Sequence, residues 1–166
     1  MFKKVCAGKM ACTVLILIAM VSGIQGARFF RKARQEAVAK QAVPAKAKGN
    51  PSAGIHIIEY SDFQCPACTN ASNTLKEVFE RHSSKMYVEF RHYPLPTLHP
   101  YAILCAVYSE CAAQQGKFWP YHDRLFDERE ELGRSMRVQG RLIGIAQELG
   151  LEMAQFRKCV QDPAVE

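Results

Sequence analysis

The chain opens on an apolar run from Met10 to Ile24, preceded by Lys3, Lys4 and Lys9 and closed by the small residues Gly23, Gly26 and Ala27. A basic end, a short apolar segment and small residues near a cleavage point make the layout of a secretory signal. The run is shorter than the ~20 residues that span a bilayer comfortably, so residues 1–27 read as a signal peptide or an N-terminal membrane anchor. Residues 28–53 are rich in Ala, Lys and Arg and lose apolar periodicity after Phe30, which predicts a basic flexible linker. From residue 54 the pattern is that of a folded domain, 54–166. The Ile-rich "GIHIIEY" (54–60) predicts a buried strand. Ala67, Ala71, Leu75, Val78 and Phe79 then recur at helical spacing from Pro66 to about His82, with Pro66 suited to the first helical position. "MYVEFRHY" (86–93) alternates, with Val88, Phe90 and His92 on one face and Tyr87, Glu89, Arg91 and Tyr93 on the other. Strand, helix and strand make a parallel, right-handed βαβ unit by default. After "PLPTLHP" the periodicity predicts helices at about 100–115, 119–130, 135–149 and 152–160, the last with Met153, Phe156, Cys159 and Val160 on one stripe.

Charge divides at the same boundary. Residues 1–50 carry 10 of the 22 basic residues and one acid, Glu36, whereas residues 51–166 carry 12 basic and 15 acidic residues. The overall charge of +6 therefore belongs to leader and linker. Nucleic-acid binding wants its basic residues on the folded part, and no nucleic-acid partner is expected. The seven basic residues of the linker lie on the side an exported chain must translocate, against the usual bias.

Seven cysteines are present, and five of them, Cys65, Cys68, Cys105, Cys111 and Cys159, lie in the domain. An exported chain permits disulfides, and an odd number leaves one thiol over. The stretch "QCPACTN" places Cys65 just before the first helix and Cys68 one turn into it. The unpaired N–H groups and the positive end of the helix stabilise a thiolate there. Such settings bring a cysteine pKa from ~8.5 to between ~3.5 and ~7.5, and a stabilised thiolate is a good leaving group. Cys65 is then the attacking and leaving sulfur, and Cys68 the more buried partner that resolves a mixed disulfide. Zinc would need about four ligands. No second Cys-X-X-Cys exists, and His82, His92 and His99 lack ligand spacing, so no metal is expected. His56 and His99 are expected to be structural, and His92 satisfied within the core. Cys105, on the stripe of Ala102, Ala106, Ser109 and Ala113, is expected to be a buried free thiol facing away from Cys111.

Three segments in order, "IIEYSDFQCPAC", "FRHYPLPTLHPYA" and "CAAQQGKFWPYHDRLF", resemble the DsbA-like thiol:disulfide oxidoreductases, the exported branch of the thioredoxin fold. The likeness runs across nearly all of 55–160. It implies an α/β fold, a thioredoxin-like βαβ unit with an inserted helical block after the second strand. It also implies that Cys65 and Cys68 are the redox pair and that Asp62, Phe63, Pro66 and Ala67 form the active-site surround. Phe118 and Trp119 would start the inserted helix near the redox face, with core packing as their expected role. Cys111 and Cys159 match positions where some members carry a second disulfide. Ala67 stands where other members place a histidine that supports the thiolate, which implies a milder oxidant.

The same likeness implies that the C-terminal part of the fold, a cis-proline loop, two strands and a closing helix, is missing from this sequence. A non-catalytic, membrane-tethered remnant of the family is the alternative reading, and a disulfide reductase or isomerase a further one. No cofactor is implied, since the sulfurs carry the chemistry. The implied partners are reduced client proteins, a membrane quinone-linked protein that reoxidises the pair, and the membrane itself if the N-terminal segment is retained. The implied location is the periplasm or the extracytoplasmic face of the cell membrane.

Overall fold

The computed structural model describes residues 44–165; the expected leader, and the expected linker as far as residue 43, lie outside them. Three strands form one sheet in the order β1–β3–β2. They are β1 (Ala47–Gly49), β2 (Ile55–Ser61) and β3 (Met86–His92). β2 runs parallel to β3, with Ile57 opposite Val88 and Glu59 opposite Phe90. The helix α1 (Pro66–His82) makes the crossover between them. β1 pairs antiparallel with the other side of β3, placing Lys48 opposite Val88.

β1 corrects the expected boundary, because it falls inside the span read as linker. Ala47, Lys48 and Gly49 carry no strand signal of their own; the strand forms because β3 offers it an edge. Phe90 N–H donates to Lys46 O at 2.8 Å and Asn50 N–H to Met86 O at 2.9 Å. Gly49 has φ +98, and a Cβ there would run into the Met86 carbonyl, so the strand's exit requires glycine. Lys48 Nζ lies 3.8 Å from the Trp119 ring centroid, and Trp119 Nε1–H donates to Ala47 O.

The inward face of β3 matches its alternation: Met86, Val88 and Phe90 are buried. The Ile-rich run does not match. Ile55 and Ile58 of β2 are half exposed, as is Tyr60. Among the described residues β2 is an edge strand with one open face, and Ile57, Glu59 and the buried Ser61 lie on its covered one. The stripe expected on α1 is also rotated. Ala67, Ala71 and Val78 are exposed, and Ser72 is the residue α1 buries. The helix is oriented by Phe79, against Lys48 and beneath Gly49, and by Lys76, which pairs with Asp123 at 2.8 Å.

Five helices follow: α2 (Ala102–Ala113), α3 (Phe118–Asp127), α4 (Arg129–Arg134), α5 (Val138–Glu148) and α6 (Met153–Val160). The expected helix at 119–130 is two helices, broken at Glu128, whose carboxylate is held by Arg124 and Arg141 instead of continuing one axis. Two apolar clusters merge into one core. Phe63, Phe90, Phe118 and Phe126 pack between sheet and block, with ring centroids about 5 Å apart. Cys105, Tyr121, Leu125, Leu142, Ile145 and Phe156 fill the helical block. Each fully buried ring or aliphatic side chain contributes roughly 1.5–3 kcal/mol. Tyr121 is kept inside by donating its hydroxyl to Leu142 O at 2.8 Å. α6 starts on Glu152, whose carboxylate accepts from the N–H groups of Ala154 and Gln155.

Among the described residues no helix is long and apolar enough to cross a membrane.

Candidate functional site

Cys65 is the N-cap of α1, in extended conformation, with Pro66 next and no side-chain oxygen capping the helix. Its sulfur takes the place a Ser or Asp oxygen would fill. Burial opposes ionisation of Cys65. The amide N–H of Cys68, the Cys68 thiol and the amide N–H of Ala67 donate toward its sulfur and outweigh both burial and the Asp62 charge. The Cys65 thiol therefore stands below its ordinary value. Cys68 stands above its own, chiefly through burial; the Asp62 N–H and Ser61 hydroxyl oppose that rise, while the Cys65 thiolate adds to it. The two sulfurs thus hold their protons unequally, less firmly at Cys65 than at Cys68. Cys68 packs against the core and Cys65 does not.

The turn that presents Cys65 is tied to the loop between β3 and α2. Asp62 is almost fully buried. Its Oδ1 accepts from Gln64 N–H at 2.8 Å, and its Oδ2 accepts from Leu95 N–H at 2.9 Å and contacts His99 Nδ1 at 2.8 Å. Gln64 Oε1 accepts from Tyr101 N–H at 2.6 Å. Cys65 N–H closes the turn on Asp62 O at 3.1 Å. Phe63 points the other way, into the aromatic cluster, 5.3 Å from Phe90 and 5.1 Å from Phe126. Four successive residues, Ser61 to Gln64, are thus buried immediately before an exposed Pro66 and Ala67.

Of the residues expected at the site, Cys65, Cys68, Asp62, Phe63, Pro66 and Ala67 are together. Phe118 is in the aromatic core and Trp119 on its edge. His92 meets Glu110 at 3.1 Å through Nε2, while its Nδ1 finds no partner. His56 lies exposed beside Tyr87. Cys105 is a free, fully buried thiol that burial pushes up to about 12. Cys111 and Cys159, on α2 and α6, are joined as a disulfide with Cα atoms 5.7 Å apart.

The sequence reading missed Gln64 and the pairing of His99 with Asp62. An Asp two residues before an amide is a local turn signal, but His99 lies 37 positions from Asp62, and only the fold brings them together. Glu59, one turn of strand before the site, was also passed over; it faces the helices, and burial raises its pKa while its oxygens lack partners.

Two open grooves flank the turn. One, of about 700 Å³, runs from Thr69 in the first turn of α1 along Phe126–Arg129 to Ser135. The other, of about 420 Å³, lies among Gln64, Leu98, His99, Pro100, Arg129 and Arg134.

A family model described as thioredoxin matches residues 41–166. Among solved structures, α-DsbA1 of Wolbachia pipientis aligns with a TM-score of 0.62 at 23% identity, covering 76% of this chain and 65% of that one. DsbA2 of Pseudomonas aeruginosa aligns with a TM-score of 0.56 at 29% identity over 73% of this chain and 65% of that one. MdbA of Corynebacterium diphtheriae, described as a thiol-disulfide oxidoreductase, gives 0.56 at 18% identity, covering 68% and 60%. Below a quarter identity the likeness is one of fold. Among curated proteins, the Na⁺/H⁺ antiporter NhaA 3 of Salinispora tropica is 36% identical over 115 residues, which are 69% of this chain and 17% of that protein. The NhaA antiporter of Herminiimonas arsenicoxydans is 34% identical over 118 residues, 71% and 18% of the two. The chain thus spans less than a fifth of the length of these curated relatives.

Proposed function

Because the chain belongs to the thioredoxin family, with a fold like that of the DsbA proteins, we propose that it is a thiol:disulfide oxidoreductase working through Cys65 and Cys68. The observation that carries this reading is the placement of the two sulfurs: Cys65 caps the start of α1, and Cys68, one turn in, packs against the core behind it. In the oxidised protein a client thiolate attacks Cys65, the Cys65–Cys68 bond breaks, and Cys68 leaves as a thiolate that takes up a proton. The client's second thiolate then attacks its own sulfur in the mixed disulfide and expels Cys65. The client gains a disulfide and the protein is left with two reduced sulfurs, so two electrons and two protons balance. A stabilised Cys65 thiolate favours that last departure and so favours the oxidising direction.

Ala67 adds no side-chain donor at the site, which supports a mild oxidant. The same chemistry run backwards gives a reductase or isomerase. We place the protein outside the cytoplasm, in the periplasm or on the outer face of the cell membrane, exported by residues 1–27 as a cleaved signal or a retained anchor. Reoxidation is assigned to a membrane quinone-linked partner, and the clients are reduced, folding proteins. Cys111–Cys159 serves as a structural bridge in this scheme. The antiporter relatives favour a second context for the same chemistry, in which a domain of this kind is one part of a longer membrane protein.

The test is disulfide exchange by the purified full chain with a reduced, unfolded model protein, followed by gel shift after thiol labelling. The wild type should oxidise the substrate. Cys68→Ala should accumulate a mixed disulfide with glutathione through Cys65, and Cys65→Ala should not. A folded wild type that exchanges with neither substrate nor glutathione would establish the non-catalytic remnant instead.

A further inference from the structure

We propose that His99 is a positioning residue for the cysteine pair: through Asp62 it locks the turn carrying Cys65 onto the β3–α2 loop and screens the Asp62 charge from the Cys65 sulfur. The inference rests on the redox reading above.

Asp62 sits where three demands meet. Its side chain is 2% exposed, and a carboxylate removed from water needs donors for its lone pairs. Three face it: the N–H groups of Gln64 and Leu95 and the ring nitrogen Nδ1 of His99. A donating Nδ1–H fixes the ring's tautomer and leaves Nε2 for the groove beside the turn. The backbone of Asp62 also serves the site. Its carbonyl accepts from Cys65 N–H, and its N–H faces Cys68. One residue thus sets a charge near Cys65 and a donor near Cys68.

Of its three donors, His99 is the one that a side-chain substitution removes, since the other two are backbone N–H groups. The charged groups around the pair are few. Arg129, Glu130 and Arg134 of α4 line the groove into which His99 opens, with Glu130 bridging both arginines. On the inner side Cys105 of α2 feels the same Asp62 charge and stays protonated.

The experiment is a pH titration of the thiolate, read by ultraviolet absorbance and by alkylation rate at Cys65, together with the glutathione equilibrium, on the full chain. Wild type is compared with His99→Phe and His99→Gln. His99→Phe should hold about threefold less Cys65 thiolate than wild type at a fixed pH below the midpoint, a shift of about half a unit. Its disulfide should become less oxidising against glutathione by a similar factor. His99→Gln can still donate to Asp62 through its side-chain amide, so it should keep the wild-type melting temperature and restore the wild-type titration and glutathione equilibrium. A folded His99→Phe protein whose thiol titration and glutathione equilibrium superimpose on wild type, or a His99→Gln protein that departs from wild type as far as His99→Phe does, would overturn the proposal. If His99→Phe does not fold, His99→Ala is measured in its place by the same criterion. Failure of the redox reading is distinguishable: the wild type itself would show no exchange with glutathione.

Discussion

Four of the five cysteines in this small domain show three different reactivities set by their surroundings. Cys65 has donors around its sulfur and an open side, Cys105 has neither, and Cys111 and Cys159 are spent on each other. Alkylation of the native, reduced protein at neutral pH should therefore modify Cys65 first. Cys105, buried and pushed up to about 12, should react only on unfolding. Mass spectrometry of the labelled peptides checks both; rapid native labelling of Cys105 would mean that the helical block opens on the reaction timescale. Thr69 makes a smaller contribution of the same local kind. Its N–H and hydroxyl both donate to the Cys65 carbonyl, fixing the first turn on which the sulfur depends.

At the scale of elements, α3 and α1 are joined by a chain of charge that stability should report. His122 of α3 is buried among Phe63, Phe90, Phe118 and Phe126 and donates through Nδ1 to Asp123, which Lys76 of α1 also holds. Burial lowers the His122 pKa, against the pull of Asp123. Burial would raise the Asp123 pKa, but hydrogen bonds from His122 and Lys76 overcome it and bring the carboxyl from 3.8 to about 2. Both groups have folded values below their unfolded ones, so each contributes stability above its unfolded pKa that is lost as pH falls. The His122 part fades as pH drops below ~6.5; the Asp123 part fades between about pH 4 and about pH 2. Thermal melts across this range should show two limbs. His122→Phe should flatten the upper one and Asp123→Asn the lower, the latter costing about 1 kcal/mol at neutral pH for a half-exposed pair. A His122→Phe melt that still declines below neutral pH would place the acid sensitivity elsewhere.

For the whole described domain, the sheet and the helical block share one core but have unequal support. The block is closed by Cys111–Cys159 across 48 residues, a loop whose closure contributes about 3–4 kcal/mol in the entropic account. Replacing both cysteines by Ala should lower the melting temperature by roughly 10 °C or more, with the Cys65 titration unchanged, since the bridge lies on α2 and α6 and the thiolate donors on α1. Denaturant and thermal melts of the double variant test the first part. A shifted Cys65 titration would show that the block orients the turn. The sheet is less protected: Ile55, Ile58 and Tyr60 of β2 stand half exposed among the described residues, an edge and face of the kind that aggregates.

Much of this was already present in the order of residues, because it is local. Pro66 at a helix start, two cysteines three apart and the period-two alternation of 86–93 fix the βαβ unit and the acidity of Cys65 within about 30 positions. The helical periods of the block are equally local, and so is the inward stripe of Phe156 and Cys159. Tertiary structure decided the rest, for a physical reason in each case. β1 forms from residues without strand character because β3 presents a free ladder of N–H and C=O groups. β2 shows its isoleucines to solvent because burial depends on neighbours in space, which composition does not name. α1 turns Ala67, Ala71 and Val78 of its expected stripe outward while Phe79 and Lys76 find partners on β1 and α3. Asp62 acquires His99, and with it the tie that holds the turn before Cys65, through a hydrogen bond that exists only once strand and proline-rich loop are side by side.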